Sequence, residues 1–424
     1  MADQPADVVA AALETYARLP KHGKPAVRDN GVREWTVFAS IVLTRLPSPP
    51  IVASIGTGVK CLPANRLPPL GDTVRDSHAE VLARRGFVRY LLSEAAAALE
   101  DGSDVLSYSE GQFVLRGGVQ VWLYISALPC GDASTLHTAA HQDVATASSF
   151  RGIEEALSAV EGAARGRSGY ANLGAIRTKP GRKDALASIS FSCSDKIALW
   201  CGLGLQGGLL ANFAPVYLDH VVVGGVVAPK EGERREGWRE TIRGEVERAV
   251  YGRLEGVGES SWGMLTPALP SPYALHRPQI HLTDVAFPFD KPQGDSVTAN
   301  TSLSFVAGYK PEVLVNGCVQ TSGWRAPGHA LLKDKLRSRV SRIETMRAFL
   351  ALEALIPQPS SGDEGVVTYA SLKARNGRYA AAKRILRGEL GKPVGAEWNL
   401  PHEFRATAGD APLAGWIVAG ERIV

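Results

Sequence analysis

Two segments rich in β-branched residues, WTVFASIVLTRL and PPIVASIGTGVKCL, lie almost end to end before the first long helical pattern of the chain. That order constrains the fold more than any other feature, because strands alternating with helices predict an α/β sheet covered by helices. An earlier amphipathic helix is expected in ADVVAAALETYARLP, stopped by Pro20. The long helix is expected from about Ser77 to Ala98, with Asp76 or Ser77 as its N-cap. QFVLRGGVQVWLYISALPC then supplies strand signals, ISFSCSDKIALWCGLGLQGGLL a strand end followed by a helix, and YLDHVVVGG another strand. GWRETIRGEVERAV and HALLKDKLRSRVSRIETMRAFLALEAL read as helices, and a basic helix is expected from about Tyr369. No internal repeat divides the chain. Residues 1–424 therefore read as one domain, with the polar, small-residue-rich stretch of about 135–175 as an insertion within it.

Hydrophobic residues at 45% supply a large core, and charged residues at 21% a solvated surface. No apolar run reaches the roughly 18–20 residues of a membrane helix. Asp3 and Asp7, with no early basic cluster, argue against a secretory signal. The cysteines at 61, 130, 193, 201 and 318 are odd in number and irregularly spaced. A disulfide framework is thus not expected; a reducing compartment, nucleus or cytoplasm, is, with thiols free for metal. Net charge is only +4, so a nucleic-acid surface would need local basic patches.

The chemistry starts at DSHAEVLARR. His78 at a helix start is a candidate zinc ligand, and Glu80, too close in sequence to ligate easily beside it, can lean over water at the metal. This is the H-x-E half of the zinc deaminase signature, in which the glutamate moves protons and does not coordinate. A His-x-Glu triplet is common by chance, so the second half carries more weight. Pro129-Cys130 in SALPCGDAS begins P-C-x-x-C, but Ala133 stands where the second cysteine belongs. Catalytic zinc takes three protein ligands, so a third must come from Cys61, Cys193, Cys201 or Cys318. Cys193 in FSCSDK, between a strand end and a helix, is the choice; Cys201 in an apolar helical stretch reads as a buried thiol.

DSHAEVLARR, LPCGDA and SCSDKIALWCGLGLQGGLL together resemble the three signatures of the RNA-editing adenosine deaminase family. GTGVKCL, RTKPG and YASLKARNGRYAAAK also fit, so the resemblance runs from about residue 20 to the end. It implies a cytidine-deaminase-like mixed five-stranded sheet flanked by helices, with a C-terminal helical elaboration. It implies zinc held by His78, Cys130 and Cys193, with Glu80 as the proton carrier in converting adenosine to inosine. It also implies one buried inositol hexakisphosphate, contacted here by Arg84, Arg85, Lys196, Tyr369, Lys373, Tyr379, Lys383, Trp416 and Arg342. A polar relay of Asp76, Lys179 and Lys196 would join that ligand to the metal. Leu199 stands where relatives carry a basic residue, and Val418 and Ala419 where a charged pair is expected, so an altered contact set is anticipated.

The residues point to an anion independently. On one helix, Tyr369, Lys373, Tyr379 and Lys383 would fall within an arc of roughly 120°. Lysines and tyrosines sharing a face among alanines suit a grip on phosphate.

The first catalytic block begins by residue 56, which leaves no space for a double-stranded-RNA-binding domain before it. The resemblance therefore points to the tRNA-specific branch, which acts on adenosine 37 beside the anticodon of alanine tRNA. Lys21, His22 and Lys24 of the opening basic loop, Lys60 and Arg182 are candidate RNA contacts. Val59 replaces a threonine of relatives that read duplex RNA, and Arg182 lies near where those place a glutamate. The alternatives are a deaminase of double-stranded RNA and a non-catalytic RNA-binding relative.

Overall fold

The computed structural model describes residues 4–66, 71–141, 163–165, 173–179, 186, 188–210, 212–229, 236–255, 269–292, 294–321, 332–356 and 367–387. The elements that position the site begin with helix α1 (Gln4–Arg18) and the hairpin of β1 (Phe38–Arg45) and β2 (Ser48–Thr57). A short strand β3 (Val59–Cys61) pairs antiparallel with β4 (Asp76–His78), which runs straight into α2 (Ala79–Ala98). Next come β5 (Gln120–Ile125), α3 (Cys193–Leu203), β6 (His220–Val223), α4 (Trp238–Glu247) and β7 (Gln279–Leu282). The last are β8 (Ser302–Val306), β9 (Glu312–Val315), β10 (Cys318–Val319), α5 (Arg342–Glu353), α6 (Tyr369–Ala374) and α7 (Gly377–Leu386).

The main sheet runs β7-β6-β5-β1-β2-β8-β9-β10, eight strands where five were expected. Strands β5, β6 and β7 are mutually parallel, and the remaining pairs are antiparallel. The three extra strands are the β8–β10 meander at one edge. Both faces are covered, as the period of two in β1 requires. Ala39, Ile41 and Leu43 join the large core beneath α2, while Phe38 and Val42 face Val8, Val9, Ala12 and Tyr16 of α1. Leu82, Phe87 and Leu91 bury α2 on the sheet, at roughly 1.5–3 kcal/mol for each such side chain. Among the described residues no helix is long and apolar enough to cross a membrane.

Four local expectations are corrected. The helix expected from Ser77 begins at Ala79, because Asp76–His78 pair as a strand with β3. His78 is the N-cap and lends no side-chain hydrogen bond, while Asp76 Oδ1 accepts from the His78 N–H at 3.1 Å. The PPIVASIGTGVKCL strand breaks at Gly58, whose φ of +143° and close approach to the Ser77 carbonyl exclude a Cβ. Within HALLKDKLRSRVSRIETMRAFLALEAL the described long helix starts only at Arg342, where the Ser341 side chain caps the Glu344 N–H. The basic helix from Tyr369 is likewise two helices, because Asn376 caps α7 through the Tyr379 N–H at 2.9 Å.

Candidate active site and adjoining cationic cavity

His78 stands at the junction of β4 and α2, Cys130 in the turn after β5, and Cys193 at the first residue of α3. The two cysteine turns are tied together directly. The Cys193 N–H donates to Cys130 Sγ at 3.3 Å and the Ser194 N–H to the Cys130 carbonyl at 3.0 Å. Gly131 has φ +100°, and a Cβ there would strike the Ser192 side chain, so only glycine lets the turns meet. As a result His78 Nδ1 is 3.7 Å from both sulfurs, and all three donor atoms lie within 4.8 Å of one another. Three mutually close N/S donors are the donor set of an open tetrahedral zinc site. Cys201 is a separate buried thiol, pushed up to about 12 by burial, and all five cysteines are free.

Glu80 follows in the first turn of α2 and is 2% exposed. Its Oε2 has no hydrogen-bond partner among the described residues. Burial first, and the neighbouring Cys130 charge second, push its carboxyl above the usual range; His78 and Lys179 oppose them. A protonatable carboxyl with a free oxygen beside a metal-type donor set is suited to carrying protons. Lys179 Nζ lies 3.3 Å from Cys193 Sγ and 3.0 Å from Asp76 Oδ2, and Lys196 Nζ bonds the same Asp76 oxygen. Burial would raise the Asp76 carboxyl, but Lys179 and Lys196 outweigh it and hold it well below the usual carboxylate range. A continuous polar chain therefore runs from Cys193 through Lys179 and Asp76 to Lys196.

Asp76 and Lys196 also line a cavity on the far side of that chain. Its volume is about 210 Å³, against the roughly 10–15 Å³ needed for one water. Arg75, Arg84, Arg85, Lys196, Arg342, Lys373 and Lys383 line it, with Asp76 the one carboxylate among the described residues. Arg84 and Arg85 reach it one turn beyond Glu80, held by Nε hydrogen bonds to the Leu205 and Val340 carbonyls at 2.7 and 2.6 Å. Burial above all lowers the Arg75 and Arg85 guanidiniums to about 10. Tyr369 lies beneath Arg342 and Lys373, at 5.9 and 5.5 Å from its ring centre. Burial would raise its hydroxyl, yet Lys373, Arg85, Arg342 and Arg84 together bring it below the usual phenol range. So many partly buried cations around one described carboxylate suit a multiply charged anion.

Tyr369, Lys373, Tyr379 and Lys383 all line this cavity, though from two helices and not from one continuous face. Each helix still contributes an i, i+4 pair, which is why the single-helix arc selected four residues that line one cavity. Leu199 lines the wall as an apolar residue. Arg75 and Trp200 were not anticipated. Arg75 directly precedes the Asp76 block, and Trp200 lies one helical turn after Lys196, under Arg84 at 6.0 Å. That i+4 spacing was the available signal. Trp416, Val418, Ala419 and most of the expected insertion fall outside the described residues.

Among the candidate RNA contacts, the Lys21–Lys24 loop adjoins Lys60, because Thr301, next to the Asn300 that Lys60 bonds, donates to the Gly23 carbonyl at 3.2 Å. Lys21 and His22 are exposed; Lys24 donates to the Ala17 and Leu19 carbonyls at 3.1 and 2.7 Å, closing the end of α1. Lys60 is exposed and bonded to Asn300, and Arg182 is outside the described residues.

Residues 54–400 match the adenosine-deaminase (editase) domain. The tRNA-specific adenosine deaminase 1 of Schizosaccharomyces pombe is 30% identical over 398 residues, covering 90% of this chain and 92% of its own. Its human namesake is 26% identical, covering 92% and 97%. The double-stranded RNA-specific editase Adar of Drosophila melanogaster is 29% identical over 259 residues, covering 59% of this chain and 35% of its own. With four-fifths of its length inside that domain and the donor set in place, this chain belongs to the adenosine-deaminase (editase) family and is a hydrolytic deaminase.

Proposed function

We propose that this chain deaminates adenosine to inosine in tRNA, at adenosine 37 beside the anticodon of alanine tRNA, with zinc on His78, Cys130 and Cys193. The observation that carries the reading is Glu80, a buried carboxyl with an unpaired oxygen next to three converging N/S donors. When bound there, zinc supplies the Lewis acidity that makes water a nucleophile at neutral pH. Glu80 takes the proton that water sheds, passes it to N1 of the base, and later returns a proton to the leaving amine. Water adds at C6 and the C6–N bond breaks, so adenosine and water become inosine and ammonia. Its raised pKa keeps Glu80 able both to accept and to release that proton. Burial and the neighbouring Cys130 hold the Cys193 thiol up, and Lys179, 3.3 Å from its sulfur, opposes them.

The choice of tRNA rests on coverage. Relatives named for tRNA match over nearly all of their own length, whereas the duplex-specific editase matches over about a third. A tRNA loop is already partly unstacked, which lowers the cost of bringing the base to the site. Lys21, Lys24, Lys60 and Arg182 are the proposed backbone contacts.

Inositol hexakisphosphate fits the cavity by charge. Arg75, Arg84, Arg85, Arg342, Lys373, Lys383, Tyr369 and Tyr379 would hold it. Asp76, Lys179 and Lys196 would carry its influence to Cys193.

The test is nucleoside mass analysis after incubating the purified chain with alanine tRNA and, separately, with a long RNA duplex. Inosine at position 37 of the tRNA and none in the duplex is expected; inosine in the duplex alone would move the assignment to double-stranded RNA. Zinc and phosphorus measured on the same sample should give one metal and six phosphates per chain.

A further inference from the structure

Two residues after each cysteine of the candidate metal centre stands a wholly buried carboxylate, Asp132 and Asp195, which the reaction above does not use. Each is met by one arginine. Arg248 Nη1 lies 2.7 Å from Asp132 Oδ2, and Arg253 Nη1 lies 2.8 Å from Asp195 Oδ1. Gly174 joins the two pairs. Its N–H donates to both Asp132 oxygens at 3.1 Å, and its carbonyl accepts from Arg253 Nη1 at 3.4 Å. Asp195 is further fixed by the Ser192 hydroxyl at 2.6 Å and the Arg177 N–H at 2.9 Å.

Both arginines come from one short stretch with an unusual backbone. After α4, residues Arg248–Gly252 form a π-helical turn, and Arg253–Glu255 return to α-helix. Five residues along an α-helix leave two side chains about 140° apart, at about 100° per residue. Hydrogen bonding from i to i+5 widens the turn and brings such residues onto one side. The π turn is therefore what lets Arg248 reach the Cys130 loop while Arg253 reaches the Cys193 loop. Arg253 is 6% exposed on its side chain, and its Nε and Nη2 have no hydrogen-bond partner among the described residues. A buried guanidinium so incompletely satisfied is a poor device for stability alone, where an apolar side chain would do better.

We propose that this π-helical turn is a clamp that fixes the separation of the Cys130 and Cys193 sulfurs, with Arg248 and Arg253 as positioning residues for metal binding. The inference rests on the His78–Cys130–Cys193 metal reading. Metal ligation needs both sulfurs at one fixed distance from a single ion. The clamp braces the two loops from outside, so their spacing does not depend on the ion. Outer partners of this kind typically contribute about 10–100-fold to metal affinity.

The full chain, stripped of metal with a chelator, is titrated with cobalt(II), and zinc affinity is measured by competition with a chromophoric chelator. Arg248→Gln and Arg253→Lys are compared with the parent and with Arg243→Gln, which breaks an exposed arginine–glutamate pair on the adjoining α4. Zinc affinity should fall about 10–100-fold in Arg248→Gln and Arg253→Lys and stay unchanged in Arg243→Gln. The thiolate-to-cobalt absorption should weaken and shift in the same two variants. Lower melting temperature with zinc affinity within about twofold of the parent would show a purely structural role and overturn the clamp. Should Arg253→Lys not fold, Arg248→Gln, whose arginine is partly exposed, decides alone. A parent chain that takes up no cobalt or zinc removes the metal centre and the clamp with it, whereas a parent that binds beside variants that bind equally removes only the clamp.

Discussion

The metal-type triad and the cationic cavity lie either side of the same two turns of α2, and they are built on opposite principles. At the triad, three side chains converge because backbone turns force them together: a strand–helix junction, a glycine turn and a helix start capped by Ser192. Its charges nearly balance, since Lys179 faces the Cys193 sulfur and Asp76 together. The cavity instead gathers six cations from helices far apart in sequence and a seventh, Arg75, from the bend before β4, and among the described residues opposes them with one carboxylate already shared by two lysines. The first is a donor set formed by local backbone geometry. The second is a charge imbalance in which folding itself favours an anion. Asp76 and Lys196 belong to both.

The largest effect expected is at the triad. Cys193→Ser removes one of three donors while leaving Ser192 to cap α3, so the helix start survives. Zinc content should drop and inosine formation fall to background, with phosphorus content unchanged. Loss of phosphorus as well would mean that the two regions form only together. Glu80→Gln is next. It keeps the size of the side chain and every donor, so zinc should stay at one per chain while the rate falls about 10²–10⁴-fold. A variant that loses zinc in step with activity would make Glu80 a ligand and not a proton carrier.

The same contrast explains what could be read in advance. His78, Glu80 and Cys130 sit in short blocks whose spacing is set by turns, so residue order alone was enough to suggest them. Cys193 was one of four candidate cysteines, and its strand-end context separated it from Cys201, which the fold buries elsewhere. The cavity was legible through Arg84, Arg85 and the Tyr369–Lys383 run, but the argument from one continuous helix face was wrong, because Asn376 restarts the helix. Arg75 and Trp200 were missed because their role appears only when α5, α6 and α7 dock against α2 and α3. The sheet was underestimated for a related reason. The β8–β10 strands are short, and short strands carry little periodicity of their own.

A single cation tests the cavity more gently. Arg85→Gln deletes the charged hydrogen bond to the Val340 carbonyl, which costs about 1.5–3 kcal/mol for a bond of that type. Denaturant unfolding should register that loss, phosphorus per chain should fall, and zinc per chain should not. A large fall in zinc would show that the charge of the cavity, and not the turns, holds the triad in place.

The smallest effect distinguishes the two regions by pH alone. Burial is the main cause lowering the Lys373 ammonium below its usual 10.5; Tyr369 opposes the shift, and Arg342 and Arg84 reinforce it. Between that lowered value and 10.5 the unfolded chain binds more protons than the folded one, so stability of the anion-free protein rises with pH across this window. Below the window both states are charged and the cost is fully present. A bound polyphosphate removes the cause by favouring the ammonium, so the loaded protein has no such gain. The difference in melting temperature between anion-loaded and anion-stripped protein should therefore shrink as pH rises from neutrality to 10.5. Lys373→Met should abolish that part of the shrinkage, since it keeps the length of the side chain without a titrating group. A gap that stays constant with pH would place Lys373 outside the field of the anion and leave the arginines to hold it.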